Sequence, residues 1–187
     1  HHTLALKYVL RRMLERRRAR VLDLGAAIGP NISFVGQYAP KLYIADLYHT
    51  LRSRAGGLPK DTKILDRLLT KELPPSELAP FDLILAWDLL NYLSGEQVAS
   101  LGRHLARLSR QDSLIFALIT NSKEMPSKPI GFRILDTDTL SYIVDTEIGR
   151  KSPLFKEPDL NRWLPDFEVE TSFLLRNGFQ EYVLRHP

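Results

Sequence analysis

The 187-residue chain contains no cysteine. That absence excludes disulfides, thiolate metal ligands and a cysteine nucleophile together. It fits a reducing compartment, and a cytoplasmic location is the expectation. No apolar run approaches the roughly 20 residues needed to span a bilayer, so no membrane segment is expected. Within residues 1–20 the charges follow the apolar residues, the reverse of a secretory leader, and no signal peptide is expected. Internal repeats and low-complexity linkers are lacking too, and no metal site is expected.

What is present is ordinary in bulk and uneven in detail. The length suits one domain with one sizeable core. Hydrophobic residues make up 44% and charged residues 26%, as in a typical globular domain. The net charge of +4 comes from one segment: residues 1–20 carry seven Lys and Arg against Glu15 alone, and the remainder is net acidic. Arg11, Arg12, Arg16, Arg17, Arg18 and Arg20 could attract nucleic acid or another anion. Leu6, Val9, Leu10, Met13 and Leu14 lie at helical spacing in the same stretch, so a solvated face of an amphipathic helix over 4–17 is the favoured reading. Residues 1–19 are thus set apart as a basic helix, ahead of a domain over 20–187.

Strand and helix patterns then alternate. A strand over 20–25 precedes a helix over 31–38 and a strand over 42–46. Residues 62–69 read either as a helix or as a short strand ending at Asp66. Leu83, Ile84, Leu85, Ala86 and Trp87 form a continuous apolar run, as in a strand buried on both faces. Ser94 and Gln97 make a capping-box pattern for the next helix, and residues 113–120 read as another buried strand. A proline-rich stretch follows, with a helix expected over 137–144. Two strand-like runs then flank Asn177-Gly178, a strong hairpin signal. Alternation implies an open parallel sheet with helices on both faces. Ligands of such sheets bind at the carboxyl ends of the strands, which places residues 25–29, Asp46, Asp66, Trp87 and Asp88 on one rim.

RVLDLGAAIGPN, residues 20–31, ends a strand in small residues that let a ligand approach the backbone. A phosphate loop would need Lys-Ser/Thr after its last glycine, where Pro30-Asn31 stands. A dinucleotide loop would need glycines where Ala27 and Pro30 stand. Asp23, Gly25, Ala27 and Gly29 fit D-x-G-x-G-x-G with one departure, at Ala27. If Ala27 has a negative φ, its methyl costs little; if positive, roughly 1 kcal/mol of strain follows.

VLDLGAAIG, then YIADLY with an acid 21 residues after Gly25, then FDLILAWDLLNYLS and the closing FEVETSFLLRNGFQEYVLR, resemble in order and spacing the class I S-adenosylmethionine-dependent methyltransferases. The resemblance runs from about Arg20 to Arg185. It implies a Rossmann-like, doubly wound, mostly parallel seven-stranded sheet with a C-terminal antiparallel hairpin. It implies S-adenosylmethionine as cofactor and S-adenosylhomocysteine as product. Asp23, Gly25, Ala26, Ala27, Ile28, Gly29, Asp46, Leu47, Asp66, Ala86 and Trp87 would surround that cofactor. Asp46 would accept hydrogen bonds from both ribose hydroxyls. Other readings stay open: Asp46 and Asp23 as caps of nearby amides, Asp66 as a solvated helical residue, Trp87 as core.

Methyl transfer needs an aligned nucleophile and exclusion of water, and a base only where the acceptor keeps a proton. Asp88 and Tyr92 are the catalytic candidates, with His49 also on the rim; His104 reads as structural. Without cysteine, a cytosine-C5 enzyme is excluded. Trp87-Asp88-Leu89-Leu90 is not the Asn/Asp-Pro-Pro-aromatic motif of amino-nitrogen enzymes acting on adenine or glutamine. A small-molecule acceptor is the first expectation, with residues 121–166 selecting it. Lys123, Lys128, Arg133, Arg150, Lys151 and Lys156 there are balanced by Asp136, Asp138, Asp145, Glu147 and Glu157. The alternative is a non-catalytic module of the same fold that binds a protein or nucleic acid. A nicotinamide-binding fold is a third.

Overall fold

The computed structural model describes residues 1–16, 18–143 and 148–187. Arg17, Val144, Asp145 and Glu147 lie outside them. In chain order the elements are α1 (Leu4–Leu14), β1 (Arg20–Asp23), α2 (Gly29–Val35), β2 (Lys41–Ile44), α3 (Leu47–Ala55), α4 (Thr62–Glu72), α5 (Pro75–Leu78) and β3 (Phe81–Trp87). A single 3-10 turn (Leu89–Tyr92) leads to α6 (Gly95–Leu108), β4 (Ser109–Thr120), β5 (Glu124–Pro126), β6 (Gly131–Asp136), β7 (Thr139–Ile143), β8 (Ile148–Lys151), α7 (Glu157–Trp163), β9 (Glu168–Leu174) and β10 (Phe179–Arg185).

The central sheet runs β2-β1-β3-β4-β10-β9. Its first four strands are parallel, and the terminal hairpin adds β10 and β9 antiparallel. All seven residues of β3 are buried, as a strand between two helical layers must be. One apolar cluster joins the sheet to α3, α4, α6 and α7; the other joins it to α1, α2 and the β6–β7 ribbon. The expected α/β architecture and closing hairpin are therefore present, with Gly178 at φ +88° in the turn.

Three expectations are corrected. The central sheet has six strands among the described residues, not seven. The segment that could have supplied another is α4, capped by Asp61, with Leu65 and Leu69 buried one turn apart. Asp66 therefore sits on an exposed helical face, bonded to the Ser100 hydroxyl, and not on the rim. Residues 139–143 of the expected 137–144 helix are strand β7, pairing with β6. Thr-Leu-Ser-Tyr alternates polar and apolar residues, a period of two that outweighs local helix preference.

The basic helix α1 is built into the core. Ala5, Leu6, Val9, Leu10 and Met13 are buried. The Glu181 carboxylate on β10 accepts from the Leu4 and Ala5 amides, both at 3.0 Å, an anion where the helix dipole favours one. Bases of α1 and just beyond it pair with acids elsewhere in the chain: Arg16 with Asp82 at 2.6 Å, Arg12 with Glu170 at 3.4 Å and, on the surface, Lys7 with Asp138 at 3.3 Å. His104 meets the Leu73 carbonyl at 2.8 Å through its ring Nε2. No helix among the described residues is long and apolar enough to cross a membrane.

Candidate functional site

The chain leaves β1 outward to β2, then returns to the other side of β1 as β3. This reversal opens a crevice at the carboxyl ends of β1 and β3, where open α/β sheets bind ligands. Gly25, Ala26, Ile28, Asp46, Ala86 and Trp87 line it, with residues 129–132 closing its far side.

Asp23 organises the loop. Its Oδ1 accepts from the Gly25 amide at 2.8 Å and from the Trp87 indole Nε1 at 2.7 Å. Burial pushes this carboxyl up to about 6 despite both bonds, and the nearby Asp46 charge adds to the rise. The indole lies flat against Phe132, with centroids 5.6 Å apart and planes 7° from parallel. A Cβ on Gly25 would fall 2.7 Å from the indole Cδ1, so the glycine is required by this internal approach. A Cβ on Gly29 would meet nothing within 4 Å. Ala27 and Gly29 are exposed at the start of α2. Ala27 is not among the positive-φ residues, so its methyl carries no such strain. Leu47 is buried, its amide bonded to the Leu24 carbonyl at 2.9 Å.

Two of the four positive-φ non-glycine residues among those described border this crevice, Asp46 at φ 40° and Trp87 at φ 50°. Aspartate tolerates that region; for a bulky aromatic it is an outlier that gathers at functional sites. The Asp46 side chain is not used to cap α3. Its Oδ1 lies 2.7 Å from His49 Nδ1, and both residues line the crevice.

Asp88 stands just past β3 and is 2% exposed. Its Oδ2 accepts from the Ile130 amide at 3.0 Å. Its Oδ1 has no partner among the described residues. Burial raises this carboxyl to about 7, only partly opposed by the Ile130 amide. Asn91 fixes the turn below it, donating to the Asp88 and Leu118 carbonyls and accepting from the Thr120 amide. Tyr92 is placed differently from a reacting group: its hydroxyl donates to the Lys128 carbonyl at 2.7 Å, and burial raises its pKa further.

The covering segment is the part that the sequence did not reveal. It is tied at Ser127 by the Tyr48 hydroxyl (3.4 Å), at Lys128 by Tyr92 and at Ile130 by Asp88. The buried Asn31 amide clamps β6, donating to the Phe132 carbonyl at 2.7 Å and accepting from the Ile134 amide at 2.8 Å. Asn31 follows Gly-Pro at a helix start, and no local pattern reveals a partner 101 residues away. The crevice beneath has a free volume of about 50 Å³.

The methyltransferase-domain family model matches residues 2–170. The chain belongs to that family, and with it to the class I S-adenosylmethionine-dependent methyltransferase superfamily. An S-adenosylmethionine-dependent methyltransferase from Mesorhizobium loti matches this methyltransferase domain with a TM-score of 0.55 at 18% identity, covering 95% of this chain and 96% of its own. The amino pentose methyltransferase CalS10 of Micromonospora echinaspora, solved with S-adenosylmethionine bound, gives 0.56 at 12% identity, over 98% and 90%. The 1,6-didemethyltoxoflavin-N1-methyltransferase of Burkholderia thailandensis, solved with 1,6-didemethyltoxoflavin and S-adenosylhomocysteine, gives 0.53 at 18%, over 98% and 77%. At these identities the likeness is one of fold. No curated protein matches the chain.

Proposed function

We propose that this methyltransferase domain transfers a methyl group from S-adenosylmethionine to a small-molecule acceptor. The observation that carries the reading is Asp46: a left-handed aspartate at the end of β2 that leaves its helix uncapped and lines the crevice beside the Gly25–Ala26 backbone. A carboxylate there suits a vicinal diol. The apolar wall of Leu24, Ile28 and Ile130 suits the rest of a nucleoside. The donor set fits the cofactor, with the Asp46 carboxylate for its ribose and the Gly25–Ala26 backbone beside it. An amino pentose methyltransferase and a 1,6-didemethyltoxoflavin-N1-methyltransferase of this fold support a small acceptor. When bound, S-adenosylmethionine supplies an electrophilic methyl group on a sulfonium. Residues 127–132 exclude water above it, and Asp88 offers Oδ1 to a proton.

The second reading, a non-catalytic module, is favoured by one observation: Trp87 and Phe132 occupy space beside Gly25. One titration separates the two. Calorimetry with S-adenosylhomocysteine is expected to show one site of micromolar Kd that weakens at least about 100-fold in Asp46→Ala, the loss of two charge-assisted hydrogen bonds. Absence of binding to the native chain rejects the enzymatic reading.

A further inference from the structure

Beyond Asp88 lies a second and larger cavity, of about 310 Å³. It sits between the 3-10 turn, the β4–β5 connection and the hairpin turn at Asn177. Asp88 and Ile130 line both this cavity and the crevice, so the two share a wall. Tyr92, Met125, Tyr142 and Phe179 give it broad apolar and aromatic surfaces. Two polar atoms of its lining residues are buried without a hydrogen-bond partner among the described residues: Asp88 Oδ1 and Asn177 Nδ2. The first accepts and the second donates. Each such orphan is destabilising, and a ligand of opposite polarity at each atom removes that cost. The neighbouring polar groups of Asn91 and Tyr92 are already engaged within the protein.

We propose that this cavity is the methyl-acceptor site, and that it takes a flat aromatic molecule offering an N–H or O–H to Asp88 and a carbonyl-type oxygen to Asn177. The assignment rests on the methyltransferase reading above. Asp88 lies on the shared wall, so the atom that bonds to it faces the crevice. As that heteroatom's lone pair forms the bond to the methyl carbon, the carbon–sulfur pair stays with sulfur. The heteroatom's proton passes to Asp88 Oδ1.

The test is binding of planar bicyclic probes to the full chain at pH 8, with 4-hydroxyquinoline and 2-naphthol followed by calorimetry, and S-adenosylhomocysteine titrated in parallel. Saturable binding of 4-hydroxyquinoline is expected, with 2-naphthol weaker because it lacks the carbonyl. Asp88→Asn and Asn177→Asp each reverse one polarity at nearly constant shape, and each is expected to weaken 4-hydroxyquinoline at least about tenfold. Asn177→Asp should keep native affinity for S-adenosylhomocysteine, which also shows that the variant folds. Asp46→Ala should keep the probe and lose S-adenosylhomocysteine. If S-adenosylhomocysteine binds but neither probe does, or if both polar substitutions leave 4-hydroxyquinoline unaffected, the acceptor site is wrong. If S-adenosylhomocysteine itself fails to bind, the methyltransferase reading falls and the acceptor assignment falls with it.

Discussion

Asp82 and Asp88 stand at opposite ends of one buried strand and meet opposite fates. Asp82 is fully enclosed, yet Arg16 and Arg110 bond its Oδ1 and the Arg20 amide reaches its Oδ2 at 2.8 Å. Burial alone would raise its pKa, but these donors outweigh it and hold the carboxyl below the usual range. Asp88 is nearly as enclosed and has one amide, so burial prevails and the carboxyl rises to about 7. The contrast follows the architecture. The amino ends of the strands are closed with partners that stabilise the fold. The carboxyl ends keep an underpaired acid beside two cavities, where perturbed groups tend to be functional.

The largest test of that contrast is Asp82→Ala. It removes the shared partner of Arg16 and Arg110, both still reached by solvent, and should cost about 1.5–3 kcal/mol, the range for hydrogen bonds to a charged group. Urea melts at pH 7.5 measure it; a loss under about 1 kcal/mol would place Asp82 among surface pairs. Asp88→Asn at the same pH should be neutral or stabilising, because it removes a charge that burial disfavours.

The pH dependence of stability should separate the two further. Folded Asp88 keeps its proton up to about pH 7, while its ordinary value is 3.8. Stability from this group is therefore present at low pH and falls as pH rises from about 4 to 7, by up to roughly 1.4 kcal/mol per pH unit. Asp23, raised to about 6, adds to the lower part of that fall. Asp88→Asn should level the curve above about pH 6 and roughly halve its slope below that, where Asp23 still contributes. Asp82 has the reverse sign: its contribution is present above pH 3.8 and is lost as pH falls through its lower folded value. Melts from pH 3 to 8 that show no flattening in Asp88→Asn would contradict the assignment.

A smaller effect sharpens the contrast within the carboxyl-end rim. Gly25→Ala drives a methyl into Trp87 and should cost about 1–3 kcal/mol, the range for overpacking. Gly29→Ala enters open space and should stay within about 0.5 kcal/mol. Thermal melts of the pair are the measurement, and equal losses would remove the reason given for Gly25.

Much of the carboxyl-end rim was legible because it depends on local pattern. Apolar runs end at Asp23, near Asp46 and at Trp87, and right-handed crossovers bring successive parallel strand ends to one side. Asp66 failed because residues 62–69 carry both periods, and burial of Leu65 and Leu69 against α6 decided for the helix. The strap was illegible for a different reason. Asn31, Tyr48, Tyr92 and Asp88 hold it through bonds to backbone groups at 127–134, and a backbone amide carries no sequence signature.

The sequence by itself determined the α/β class, the closing hairpin and the placing of Asp23, Asp46 and Asp88 at strand ends, since strand periodicity and turn chemistry act over a few residues. Only the tertiary structure decided which acid is neutralised by arginine and which is left with one amide, and that Gly25 accommodates a tryptophan. Charge and burial are set by groups 28 to 66 positions away around Asp82, and such partners are chosen by packing.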